Sequence, residues 1–151
     1  MIKYVNTTEN ITETMLQGFF VGWPNPPTPA THLKILQNSS YIWLAIAPAS
    51  NQVVGFITAI SDEILSAYIP LLEVLPTHQN QGIGTELIAK MLNSLKHLYM
   101  IDLLHDPHLQ PYYKSLGLTP AAGSIIRNHS RQNGEPLIDS GSKPFLSPNP
   151  Q

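Results

Sequence analysis

Residues 82–97 form an amphipathic stretch that runs straight into an apolar segment, residues 98–104. Ile83, Leu87, Ile88, Met91, Leu92 and Leu95 share one helical face, while Glu86, Lys90, Asn93 and Lys96 share the other. The segment after it is nearly unbroken in apolar character, the pattern of a strand covered on both faces. A β-rich run, residues 64–75, precedes the helix. Strand, helix and strand in this order make a crossover, so the two strands are expected to lie parallel in one sheet.

The remaining elements attach to that unit. Residues 2–5 read as a short strand. Asn10 with Glu13 resembles an N-cap and its reciprocal partner, ahead of Ile11, Met15, Leu16 and Phe19 at helical spacing. Four of the fourteen prolines fall in residues 24–29, a rigid extended loop in which missing N–H groups forbid helix or central strand. Thr28 then caps a second helix carrying Leu33, Ile35 and Leu36. Residues 41–47 and 53–60 make a hairpin through the turn at 48–52, and 64–75 pairs antiparallel with its second strand. Residues 106–116 suit a short helix that stops at Gly117, and Pro111 places its start at His108 or later. Residues 123–128 read as a last strand. The order is β-α-α-β-β-β-α-β-α-β, an α/β fold with a mixed sheet flanked by helices.

A length of 151 residues suits one domain. Residues 1–130 carry the periodic pattern, while 131–151 are a polar, proline-rich extension expected to be partly disordered. A formal charge of −2 argues against a polyanion-binding surface, and therefore against nucleic acid. With no cysteine, disulfides, thiolate metal sites and a Cys nucleophile are ruled out. No apolar run reaches the roughly 18 residues of a membrane span, and the first residues are not a signal peptide. The expectation is a soluble, cytoplasmic domain without a metal site.

The turn into the long helix is where chemistry first shows. Gln79-Asn80-Gln81-Gly82-Ile83-Gly84-Thr85 follows a β-run and opens a helix. Free N–H groups at a helix start, with the positive end of its dipole, suit an anion. Gly82 and Gly84 let a phosphate approach the backbone closely. Neither the nucleoside-triphosphate loop nor the full dinucleotide fingerprint is present, since Leu87 stands where the third glycine would be.

A second segment, Tyr112-Tyr113-Lys114-Ser115-Leu116-Gly117-Leu118, follows the short helix. Together, Gln79-x-x-Gly82-x-Gly84 and Tyr112-Tyr113-x-x-x-Gly117-Leu118 resemble the GCN5-related N-acetyltransferase (GNAT) family over about residues 1–130. Leu118 stands where the family usually has an aromatic residue, a change expected to affect packing only.

The resemblance implies an enzyme that moves an acetyl group from acetyl-CoA to an amine of a small molecule or peptide. It implies that backbone N–H groups of Gln79, Asn80, Gln81, Gly82, Ile83, Gly84 and Thr85 cradle the CoA pyrophosphate, with the side chains at 79–81 placed to help. It places oxyanion and cofactor contacts at the backbone of Leu72, Glu73 and Val74. It makes Tyr113 the general acid for the leaving thiolate. Asp106 sits where relatives often contact the cofactor, and equally well reads as a helix N-cap. No base is assigned. Glu73, Asp62, Glu63, His78 and His105 are the candidates, His105 being the most suggestive at the end of the apolar strand. Phe19, Phe20, Trp23, Pro24, Pro26 and Pro27 offer an aromatic, stiff wall for an acceptor, or simply cover the sheet. Arg127 could meet an acidic acceptor or be an ordinary surface residue. Homodimerisation, common in the family, stays open, as does a non-catalytic acyl-CoA-binding or regulatory role.

Overall fold

The computed structural model describes residues 1–136; of the extension expected at 131–151, residues 137–151 lie outside the described residues. Five strands, β1 (Lys3–Val5), β2 (Tyr41–Ala47), β3 (Gln52–Ser61), β4 (Ser66–Val74) and β5 (Met100–Leu103), form one sheet in that order. The first three pairings are antiparallel and β4–β5 is parallel, as the crossover requires. Helices α1 (Pro29–Asn38), α2 (Ile83–Ser94) and α3 (Gln110–Ser115) complete the α/β architecture. None of the described helices is long and apolar enough to cross a membrane.

Each face of the sheet buries its own core. On one, Ile83, Leu87, Ile88 and Met91 of α2 pack on Ala45, Ile57, Ala67 and Ile69. Each such fully buried Leu or Ile contributes about 1.5–3 kcal/mol. Gly55 makes the close approach possible, because a Cβ there would stand 3.1 Å from Leu87 and 3.2 Å from Ile83. On the other face, Leu16, Phe19, Phe20 and Leu36 cover Leu44 and Phe56. The turn between β3 and β4 is closed by Asp62, whose Oδ1 accepts the N–H groups of Ile64, Leu65 and Ser66. Those bonds hold its carboxyl well below the usual carboxylate range.

Three expectations are corrected. The helix begun at Asn10 shrinks to one 3-10 turn, Glu13–Leu16, and Asn10 itself has φ 63°. Phe19 and Phe20 are both buried, whereas adjacent helical residues point about 100° apart. Extended backbone at Gln17 and φ 61° at Phe20 aim both rings at Phe56. The strand expected at 123–128 does not form: residues 119–128 have no regular structure and are exposed. Consequently β5 is the sheet's edge among the described residues, and it is half-exposed rather than covered on both faces.

Two features of β4 open the sheet. One extra residue sits between Tyr68, opposite Ile60, and Leu71, opposite Thr58; Pro70, with no N–H, falls in this bulge. The parallel pairing with β5 ends at Ile69–Leu103, although β4 continues to Val74. Beyond the bulge, that edge of β4 has no strand partner among the described residues. A cleft follows directly.

His32 of α1 is 1% exposed among the rings of Phe19, Phe20 and Phe56, at 5.2, 5.0 and 4.3 Å. Neither ring nitrogen has a partner among the described residues, and burial pushes its pKa down from 6.5 to about 4. Between these values the unfolded chain takes up a proton that the folded one refuses. Stability is therefore intact above about pH 6.5 and falls toward pH 4, by about 3 kcal/mol in all. Asp62 stays ionised throughout this window. Urea unfolding of His32→Leu should show that slope flattened. An unchanged slope would remove His32 as its source.

Candidate functional site

The cleft lies where β4 and β5 part, with the turn into α2 on one side and α3 on the other. After β4 a 3-10 turn, Pro76–His78, leads into the glycine loop. Gln79 Nε2 donates to the Val74 carbonyl at 3.0 Å, and Gln81 Nε2 to the Thr77 carbonyl at 3.4 Å. These side chains therefore brace the loop rather than face outward. Asn80 and Gly82 take left-handed backbone, φ 59° and 80°, and a Cβ at Gly82 would meet nothing within 4 Å. Glu86 N donates to Gly82 O at 3.0 Å. The N–H groups of Ile83, Gly84 and Thr85 ahead of it have no carbonyl within the helix. Left-handed backbone at Asn80 and Gly82, followed by free N–H groups, makes a concave anion seat. The chain's residues here fit a pyrophosphate.

Tyr112 is half-buried with its hydroxyl 3.1 Å from Thr85 Oγ1, so it reaches the loop at the start of α2. A Cβ on Gly84 would stand 3.7 Å from both that hydroxyl and a Val74 methyl. Tyr113 is 8% exposed, and its ring stacks on His105 at 4.6 Å and 18°. Burial first, and the neighbouring Tyr112 second, push the Tyr113 phenol up, so it stays protonated. His105 stands just beyond β5 with Nδ1 2.7 Å from the Asp106 carbonyl oxygen. That oxygen only accepts, so Nδ1 carries the proton, and in the neutral ring the lone pair is on Nε2. The Asp106 side chain makes no capping bond, while its carbonyl also accepts from Leu109 N. Leu118 N donates to Tyr113 O, and its side chain packs on the α2 core.

Leu72, Glu73 and Val74 lie on the open stretch of β4. The Leu72 and Val74 side chains pack into the α2 core. Glu73 points to the opposite face, where Oε2 accepts Phe20 N at 2.8 Å and Oε1 accepts Val21 N at 3.1 Å. Both carboxylate oxygens are thus committed to fixing the loop ahead of α1. Asp62 and Glu63 lie in the β3–β4 turn, at the far end of β4 from the cleft, and Glu63 accepts the Tyr41 hydroxyl at 2.6 Å. His78 Nδ1 is paired with Thr77 Oγ1 at 2.9 Å. Of the candidate bases, only His105 stands against Tyr113.

The structure adds a segment that sequence spacing does not reveal. A Cβ at Gly123 would stand 2.9 Å from Leu104, so the chain passes close over the end of β5. It then runs exposed to Gln132, whose Oε1 accepts Asn25 N at 2.8 Å, and Glu135, bonded to the Thr31 hydroxyl at 2.5 Å. Residues 119–131 thereby run from the end of β5 to the proline loop. Thr28 caps α1 as expected, accepting Thr31 N at 3.1 Å.

The fold and sequence are shared with known proteins. The chain matches a crystal structure assigned as an acetyltransferase from Deinococcus radiodurans at TM-score 0.87 and 44% identity, covering 90% of this chain and 94% of that one. A GNAT-family acetyltransferase from Streptococcus pneumoniae matches at TM-score 0.69 and 28% identity, over 85% and 98% of the two chains. A sequence named N-acetyltransferase ycf52-like from Prochlorococcus marinus is 32% identical over 112 residues, 71% of this chain. The chain spans 55–60% of the length of this and the Gracilaria tenuistipitata ycf52 relative. The profile of the acetyltransferase (GNAT) family matches residues 8–118, and the chain belongs to that family.

Proposed function

We propose that this chain transfers an acetyl group from acetyl-CoA to a primary amine by direct attack, with Tyr113 as general acid and His105 as general base. The observation that carries the reading is the Tyr113–His105 stack at the open edge of β4, beside an anion seat at the start of α2. Acetyl-CoA is the substrate that supplies the thioester. N–H groups of residues 79–85 hold its pyrophosphate, with the helix dipole favouring the charge. Backbone N–H groups at Leu72–Val74 stabilise the oxyanion, a contribution typically worth about 3–4 kcal/mol.

His105 Nε2 takes the proton that the attacking amine loses as its lone pair forms the new C–N bond. Tyr113 gives its proton to sulfur as the C–S bond breaks. The phenol suits this step because burial keeps it protonated.

Two readouts test the reading. Acetyl-CoA at a hundredfold excess over its Kd should stabilise the fold by about 3 kcal/mol. Thiol release across an amine panel should follow, and His105→Gln should lower kcat by about 10²–10⁴-fold. Protection without thiol release would withdraw the catalysis and leave a binding domain. No protection by CoA or acetyl-CoA would withdraw the whole reading.

A further inference from the structure

β1 leaves the sheet before β2 does, and a cavity opens where it departs. Their pairing ends at Val5–Leu44, although β2 begins at Tyr41. The outer edge of residues 41–43 therefore has no strand partner among the described residues, and residues 6–8 stand across the cavity from it. The volume between them is about 250 Å³, bounded also by the last turn of α1 and by Ser94 at the end of α2. Part of the wall is fixed by its own hydrogen bonds. Trp43 Nε1 donates to Ser94 Oγ at 3.0 Å, and that hydroxyl donates to the Lys90 carbonyl at 3.0 Å. Ser40 Oγ accepts Ser61 N at 2.9 Å. Asn6, Thr8 and Gln37 line the same cavity, and their side chains have no hydrogen-bond partner among the described residues.

The chemistry of the wall selects the occupant. Among the described residues, no Asp, Glu, Lys, Arg or His lines the cavity, so a charged ligand would lose water without gaining a counter-charge. A wholly apolar ligand would strand the amides of Asn6 and Gln37 and the Thr8 hydroxyl. Those groups, with the open backbone edge of residues 41–43, set donors and acceptors side by side. Hydroxyl groups answer both, since each donates and accepts. Ile42 and Trp43 add apolar surface for the C–H face of a ring. The volume is below the roughly 300 Å³ at which drug-sized sites begin, which suits one ring rather than two. We propose that this cavity binds an uncharged monosaccharide or polyol. It is distinct from the acetyl-transfer cleft: α2 starts at the anion seat and reaches the cavity at Ser94, about 18 Å further along its axis. The assignment does not depend on the reaction proposed above.

Ligand-observed saturation-transfer NMR on the full-length chain tests the site with glucose, galactose, xylose and sorbitol. Glucose 6-phosphate, glucosamine and N-acetylglycinamide are the charged and amide controls. At least one neutral probe should bind saturably with a Kd of about 1 mM or below, and each control about tenfold more weakly or worse. Asn6→Leu and Gln37→Leu should each weaken that binding about tenfold, the scale of one lost hydrogen bond with a ligand hydroxyl left unpaired. Acetyl-CoA affinity and the urea midpoint should not move in either variant, because neither side chain bonds to the described fold. Should a leucine variant shift the midpoint, Thr8→Val repeats the test with almost no change in volume. Three results would each overturn the site. One is no saturable binding of any neutral probe up to about 20 mM. Another is a control that binds as tightly as the best neutral probe. The last is binding that the folded cavity variants all leave intact.

Discussion

Tyr113→Phe should lower kcat by about 10²–10⁴-fold while acetyl-CoA affinity stays within a factor of about two, since proton delivery alone is removed. The substitution keeps the ring that stacks on His105 and fills the core beside α2. Only a hydroxyl is lost, and stability should change by no more than about 1 kcal/mol. The physical reason for the large kinetic effect is the leaving group. A thiolate with a conjugate-acid pKa near 8.5 is a poor base, but it departs into a cleft where a buried phenol is still protonated. Without that proton the sulfur must leave as a free anion in a partly dry site. Rapid-mix kinetics and a thermal melt separate the two quantities. Unchanged kcat would take Tyr113 out of the acid role, and a collapsed melt would show that the hydroxyl was structural.

Gly82→Asp and Gly82→Asn should part company on acetyl-CoA affinity by on the order of a hundredfold, from roughly 3 kcal/mol of repulsion between like charges a few Å apart near the surface. The two side chains have nearly the same shape. Both meet open space at Gly82, and both bear the same strain of φ 80°, a conformation Asn and Asp adopt more readily than other L-residues. The shared strain, about 1 kcal/mol, should appear equally in the two melts. What remains between them is one carboxylate aimed at the anion seat formed by Ile83, Gly84 and Thr85 N–H. Calorimetric titration of each variant with acetyl-CoA makes the comparison. Equal affinities would mean that phosphate does not sit at the start of α2.

The elements legible in the sequence are those with local causes. The β2–β3 hairpin, the Thr28 cap and α2 follow from alternation, a single hydroxyl and a 3.6-residue period, all readable within a dozen residues. The parallel β4–β5 pair follows from the crossover, and the glycine loop from residues that tolerate left-handed backbone. For the site, Gly82 and Gly84 read locally as a glycine turn opening a helix, whereas Tyr113 is marked only by the likeness of its segment to the family's pattern. Tertiary structure decided the rest. Phe19 had helical spacing with Ile11, Met15 and Leu16, but the gain from burying both Phe19 and Phe20 against Phe56 and His32 outweighed one helix. Residues 123–128 had strand character, yet a strand exists only if a partner offers its edge, and the chain's ties through Gln132 and Glu135 carry them elsewhere. Glu73 read as a possible base and became a clamp on N–H groups 53 and 52 positions away. Periodicity reports which face of an element is buried; it carries no record of which distant backbone group a carboxylate will meet. Pairings across 50 or 100 residues are set by how the two layers close on the sheet, and only the tertiary structure decides them.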